Sequence, residues 1–210
     1  MNIYKALRER KSTRAFLDKP VSRDKIFNIL KAARHAPSGT NAQPWQVAVV
    51  TGDKKEALAN AMTEAFEKDG LGTMDYQYYP ETWKEPYKKR RVSCGAQLYS
   101  ALKIERRDRA GRISQWAANY RAFDAPVMLF FFMDPIMEKG SFLDYGMFVQ
   151  SVMLAALEEG LATCPQAALG QYPEIIKDAL DYDQDTILLC GMAFGYEDKA
   201  APSNNYRTPR

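Results

Sequence analysis

Apolar residues recur at helical spacing in Ile26, Ile29, Leu30 and Ala33, with Ser22 ahead of them as an N-cap and Pro37 behind them as a stop, so the pattern predicts a helix over 21–35. A shorter helix is predicted over 3–9. The β-branched positions Val47, Val49 and Val50 predict a strand over 45–50, closed by Thr51, Gly52 and Asp53. Helical patterns follow over 54–66, 92–104, 112–123 and 173–180, and a long apolar helix over 142–159 ends at Gly160. Two continuous apolar runs, 126–133 and 186–194, read as strands buried on both faces, and 161–164 reads as a short third one. Between 75 and 87, five aromatic residues and two prolines follow no period, which predicts an irregular surface segment able to act as a lid or to tuck its rings onto the core. Residues 195–210 carry no apolar period and predict an extended tail.

The chain of 210 residues is of a length for one domain, 1–210, and could bury roughly 70% of its unfolded surface. Its 46% hydrophobic and 26% charged residues fit a globular protein rather than a disordered one. A formal charge of +3 is too small for a nucleic-acid binder with a dominant basic face, and suits a small anionic ligand better. The longest apolar stretch, 125–133, is too short to span a bilayer, and residues 1–8 lack a secretory-type apolar run, so the expectation is a cytoplasmic protein without membrane partners. Cys94, Cys164 and Cys190 are widely spaced, form no metal or disulfide pattern, and are expected to be small buried hydrophobes. The single histidine, His35, has no carboxylate cluster beside it and is expected to cap its helix end, which leaves no metal site and no nucleophile triad in view. Neither a dinucleotide-binding glycine fingerprint nor a P-loop occurs, so a phosphorylated cofactor would need neutralising side chains.

Such side chains cluster at Arg10, Lys11, Ser12, Thr13 and Arg14, three cations and two hydroxyls suited to a phosphate. Some twenty residues later Pro37, Ser38, Gly39, Thr40, Asn41, Ala42, Gln43 and Pro44 form a proline-bounded polar loop before Trp45, offering hydrogen-bonding groups to a flat, heteroatom-rich ligand. Together the two segments resemble the flavin mononucleotide site of the nitroreductase family. Gly160 to Leu169, containing Pro165, Gln166, Ala167 and Ala168, resembles the family stretch that passes the reactive edge of the flavin. The segment 202–210 resembles the end of the family pattern, where the arginine matching Arg207 returns to the cofactor phosphate. The four segments stand in family order over most of the chain.

The resemblance implies an α+β fold, a mixed central β-sheet flanked by helices, in an intertwined homodimer with two FMN molecules at the interface. It implies that the basic cluster comes from one subunit and Ser38, Gly39 and Asn41 from the other, and that Trp45 is core rather than a cofactor stack. The implied reaction is ping-pong, with NAD(P)H giving hydride to flavin N5 before a nitroaromatic, quinone or similar small aromatic acceptor takes it, and with no obligatory catalytic side chain. Arg14 would sit at the pyrimidine end of the ring, and the amides of Ala167 and Ala168 near N5. Where many members carry an acidic residue beside N5, this chain has Gln166 or Ala167. Relatives on the same scaffold carry out reductive dehalogenation or flavin breakdown. An alternative from another class treats the basic stretch 84–112, with its interleaved tyrosines, as an RNA- or anion-binding surface.

Overall fold

Strand β2, Val127–Met133, is buried at every position, and its alternate side chains build two cores. Val127, Leu129, Phe131 and Met133 point into one, and Met128, Phe130 and Phe132 into the other. A strand covered on both faces has no position for a polar residue, which is why the apolar run is continuous rather than alternating. Each large side chain buried in this way stabilises the fold by about 1.5–3 kcal/mol.

The computed structural model describes residues 2–209; Met1 and Arg210, the last residue of the expected tail, lie outside them. β2 pairs antiparallel with β1 (Gln46–Thr51) on one side and with β4 (Ile187–Gly195) on the other, and β3 (Ala162–Gln166) closes the order β1-β2-β4-β3. The parallel pairing in this sheet is an isolated bridge between Ser12 and Thr163. Helices α2 (Arg23–Ala33) and α6 (Ser141–Glu158) cover the first core, through Ile26, Ile29 and Ala33 from α2 and Tyr145, Phe148 and Val152 from α6. Helices α3 (Gly52–Asp69) and α7 (Pro173–Leu180) cover the second, through Leu58, Met62 and Ile176. Helix α1 (Ile3–Glu9) precedes the basic cluster, while α4 (Tyr87–Ala101), which buries no residue, and α5 (Arg109–Ala117) form an excursion between the aromatic segment and β2. No helix among the described residues is long and apolar enough to cross a membrane.

Ser22 caps α2 as expected, its hydroxyl accepting from the Lys25 amide, whereas Arg34 rather than His35 is the C-cap; His35 lies in the following turn. Trp45 belongs to the core, stacked on Phe148 at 4.8 Å. Several expectations need correction. Cys94 is exposed rather than buried, because α4 lies outside the two layers. The helix expected over 92–104 starts at Tyr87, directly after Pro86, whose fixed φ suits a helix start. The helix expected over 112–123 stops at Ala117, and Ala122, Phe123 and Asp124 all take positive φ. Burial of Ala122 and Phe123 in the second core holds this turn against its backbone cost. Strand β3 runs through Pro165 to Gln166, which an edge strand permits because one side of it needs no amide donor. The tail is not simply extended: Pro202–Asn204 makes a 3-10 turn that buries Ser203 and Asn204.

Candidate functional site

The basic cluster follows α1, where helical geometry ends at Arg10 and the chain becomes extended. Ser12 bridges to Thr163, and the Thr13 amide donates to the Thr163 carbonyl at 3.0 Å, laying this segment beside the start of β3. Thr13 is buried beneath it. The cluster is thereby set against Cys164, Pro165, Gln166, Ala167 and Ala168, about 150 positions further along the chain.

Gly191 makes room for the second wall. A Cβ there would stand 2.7 Å from Leu169 and 3.1 Å from the Leu129 carbonyl, so only glycine lets the 3-10 turn Ala167–Gly170 pack down on β4. Leu169, fully buried, pins that turn, and Ala167 and Ala168 are carried to the cleft rim.

The tail supplies the third wall. Asn204, only 3% exposed, accepts the Arg14 amide at 2.8 Å and donates to the carbonyls of Ala15 at 2.9 Å and Asp198 at 2.8 Å. Lys11 Nζ lies 2.6 Å from both the Asn204 carbonyl and Glu197 Oε1, so its charge is largely matched within the chain. The Arg207 guanidinium donates to the carbonyls of Arg10 at 2.9 Å and Glu9 at 3.4 Å, which holds it beside Arg10.

Two clefts result. Arg10, Lys11, Arg207, Asn205 and Tyr206 line the larger, about 700 Å³, together with Thr163 and the end of α6. Arg14, Pro165, Gln166, Ala167 and Ala168 line the other, about 320 Å³, facing Tyr99, Trp116 and Asn119 from the α4–α5 excursion. Arg14 is oriented by bonds to the Ser12 carbonyl at 3.2 Å and the Tyr206 hydroxyl at 3.3 Å. Gln166 donates through Nε2 to the backbone and side-chain oxygens of Asn119, at 3.0 and 3.2 Å. A carbonyl can only accept, so this bond fixes the amide orientation and leaves Oε1 as a buried acceptor without a donor among the described residues. Burial pushes the Cys164 thiol above its ordinary pKa, and Arg14, Ser12 and Arg10 pull in the opposite sense; the Tyr206 hydroxyl is likewise raised by burial against the pull of Arg14.

Arg10, Lys11, Arg14, Pro165, Gln166, Ala167, Ala168 and Arg207 are therefore gathered in two clefts along β3, and Ser12 is held beside them by its bridge to Thr163. Pro37, Ser38, Gly39 and Asn41 are not. Neither cleft is lined by them, and their loop is held at the far end of α2, where the Gly39 amide donates to Asp144 at 3.1 Å and Ser38 accepts from the Gln43 amide at 2.9 Å. Thr40, Asn41 and Gln43 take positive φ there. Sequence reasoning missed Asn204, Tyr99, Trp116 and Asn119. The Asn204-Asn205 pair ahead of Tyr206 was the visible sign of Asn204, but its burial depends on contacts across the fold.

The model for the "Nitroreductase family" matches residues 7–196. A 4-nitrobenzoate reductase of Pseudomonas putida is 38% identical over 201 residues, covering 96% of this chain and 88% of its own length. A nitrobenzene nitroreductase of Ectopseudomonas oleovorans is 39% identical over 200 residues, covering 94% of this chain and 88% of its own. Among solved structures, the FMN and NADPH-dependent nitroreductase NfnB from Sphigopyxis sp. strain HMH superposes with a TM-score of 0.95 at 42% identity, over 100% of this chain and 95% of that one. With its motifs in order, its α+β layers superposable on such a structure and its relatives matched nearly end to end, the chain belongs to the nitroreductase family.

Proposed function

We propose that the protein is an FMN-dependent NAD(P)H oxidoreductase that reduces nitroaromatic compounds, working as a cytoplasmic homodimer. The observation that carries this reading is the gathering of cations and flavin-edge backbone in two clefts along β3. Arg10, Lys11 and Arg207 line the cleft at its first residues, and Arg14 with Pro165, Gln166, Ala167 and Ala168 the cleft at its end. A ligand with a phosphate at one end and a polar planar ring at the other matches that division. The donor set suits FMN: guanidinium groups for a dianionic phosphate, Ser12 beside them, Arg14 for the electron-rich end of the ring, and the orphan Gln166 oxygen for a ring N–H.

FMN, when bound, supplies the two-electron chemistry that links a nicotinamide donor to the acceptor. The chain's own residues bind and orient. Arg10 and Arg207 hold the phosphate, and Lys11 braces the tail through Glu197. Arg14, set by Ser12 and Tyr206, offers fixed positive charge where negative charge develops on reduction. Tyr99, Trp116 and Asn119 line the ring end across from Arg14 and would help to exclude water there.

The displaced loop supports the homodimer. Pro37, Ser38, Gly39 and Asn41 lie at the opposite end of α2 from the cluster, so a second copy would bring its loop to this site under twofold symmetry. Exposed apolar side chains on α1 and α2, Ile3, Tyr4, Leu7 and Phe27, give such a contact its apolar surface. The relatives matched over nearly all of this chain are named as nitroreductases or as reductases of nitro compounds. Within 84–112, Arg90 and Arg91 lie over the rings of Tyr87 and Trp83.

The test is a visible spectrum of the purified protein, chromatography of the released cofactor, and NADPH oxidation with 4-nitrobenzoate. A yellow protein that releases FMN and oxidises NADPH only when acceptor is added is the expected result. Protein that takes up no FMN when it is supplied, or that releases FAD, overturns the reading.

A further inference from the structure

A third cavity, about 530 Å³, opens on the outer side of Tyr99 and Trp116, the two residues that also line the ring-end cleft. Its walls are apolar: Phe66, Leu71, Ile113 and Trp116. Its rim carries Arg106, Arg109 and Arg112, and no lining residue bears a carboxylate. The neighbouring Asp108 is engaged elsewhere, its carboxylate capping α5 through the Gly111 amide at 2.8 Å.

Arg109 and Arg112 stand three apart on the first turns of α5 and share one side of it, while Arg106 lies in the turn before the helix, its carbonyl bonded to Arg112. Arg112 is held in place, its guanidinium 5.2 Å over the Tyr99 ring and bonded at 3.4 Å to the Arg106 carbonyl. The Trp116 indole is held through Nε1 to the Tyr120 hydroxyl at 3.3 Å, yet 40% of the residue stays exposed. A fixed aromatic face beside three guanidinium groups combines two recognition elements, a stacking plane for a flat ring and a fork for a phosphate.

We infer that this cavity takes the 2′-phosphoadenosine half of NADPH, with Arg106, Arg109 and Arg112 on the 2′-phosphate and Trp116 against the adenine, while the nicotinamide enters the adjoining cleft. The inference rests on the proposed flavin chemistry. A ligand with two aromatic ends fits two compartments joined at Tyr99 and Trp116. A nitrobenzoate has one ring and occupies the inner compartment alone, which leaves the arginine rim without a role in its binding. NADH has the same adenine but no 2′-phosphate, so the rim discriminates between the two donors rather than improving both.

The test uses the full chain as purified, with Arg106→Ala/Arg109→Ala as the variant, since both side chains are exposed and neither is part of a core. The ratio of kcat/KM with NADPH to that with NADH is expected to fall at least tenfold, the loss appearing in KM, with FMN content unchanged. Independently of turnover, adenosine 2′,5′-bisphosphate should quench tryptophan fluorescence of the parent protein, adenosine 5′-monophosphate should bind at least tenfold more weakly, and the variant should lose the difference. Equal losses with NADPH and NADH, an unchanged ratio, or a selective rise in KM for 4-nitrobenzoate overturns the assignment. If the protein holds no flavin, binding of the bisphosphate still decides the matter: discrimination by the arginines sustains the site, and its absence removes it.

Discussion

Replacing Asn204 by alanine tests whether the tail is what fastens the cofactor strand. The Arg14 amide loses the side-chain acceptor that it has at 2.8 Å, and burial makes an unsatisfied amide cost about 1–3 kcal/mol. The Ala15 carbonyl keeps a bond from the Asp198 amide at 3.1 Å, and the Asp198 carbonyl keeps one from the Ala201 amide at 3.4 Å, so each of the other two losses costs only about 0.5–1 kcal/mol. The sum, about 3 kcal/mol, corresponds to a fall in Tm of about 6–12 °C for a domain of this size. Asn204→Asp keeps the acceptor for Arg14 but sets a buried carboxylate oxygen against the two carbonyls that the amide now bonds, so it should lose at least as much. Thermal unfolding followed by circular dichroism with FMN in excess measures both, and cofactor titration should show weaker FMN binding for the alanine variant, because Arg14 and Arg207 are positioned through the same strap. An alanine variant melting within 1 °C of the parent refutes the reasoning, since three buried bonds would then be doing nothing.

Arg10→Ala and Arg207→Ala should each weaken FMN binding by roughly 1.5–3 kcal/mol, about ten- to a hundredfold, with the melting profile of the apoprotein little changed; unchanged flavin titration in both would remove them from the phosphate site. Co-expressed Arg14→Ala and Asn41→Ala chains, each inactive alone, should yield heterodimers with one intact site and up to half the parent activity; verified heterodimers without recovery would defeat a site shared between copies. Asp75 binds the buried Lys177 ammonium at 2.9 Å and also accepts the Leu188 amide at 2.8 Å, so Asp75→Ala should cost about 3 kcal/mol in urea unfolding and more than Lys177→Met does. The reverse order would show that Lys177 is satisfied by the Gln184 carbonyl alone.

The elements with the strongest period were legible from the residues: α2 behind its Ser22 cap, α6, and the two apolar runs that became β2 and β4. Boundaries were lost where tertiary packing overrides local preference. Ala122 and Phe123 carry ordinary helix-compatible side chains, and only their burial in the second core forces positive φ. The arginines and the 165–168 backbone could be named from motifs because their chemistry is local. Asn204 could not, since an asparagine in a polar tail looks solvent-facing until the fold closes over it. The arginines at 106, 109 and 112 read as part of the basic stretch 84–112, either dispersed surface charge or an anion-binding surface, and the cavity beside them was not visible because Phe66, Leu71 and Tyr99 come to it from elsewhere in the chain.

The strap between residues 10–14 and 204–207 also sets a timetable. Its bonds join positions 190 to 198 residues apart, so the strap cannot close fully until Arg207 has left the ribosome, long after the β1–β2 pairing and the α2–α6 face have had the chance to form. At roughly 5–20 residues per second, synthesis of that interval takes about 10–40 s, during which the nascent chain holds its arginines but no site. With the proposed site, flavin loading would be a late event in the life of the molecule, and a chain cut short before Asn204 is expected to lose the cofactor. Flavin retention would then report synthesis through Arg207 as well as folding.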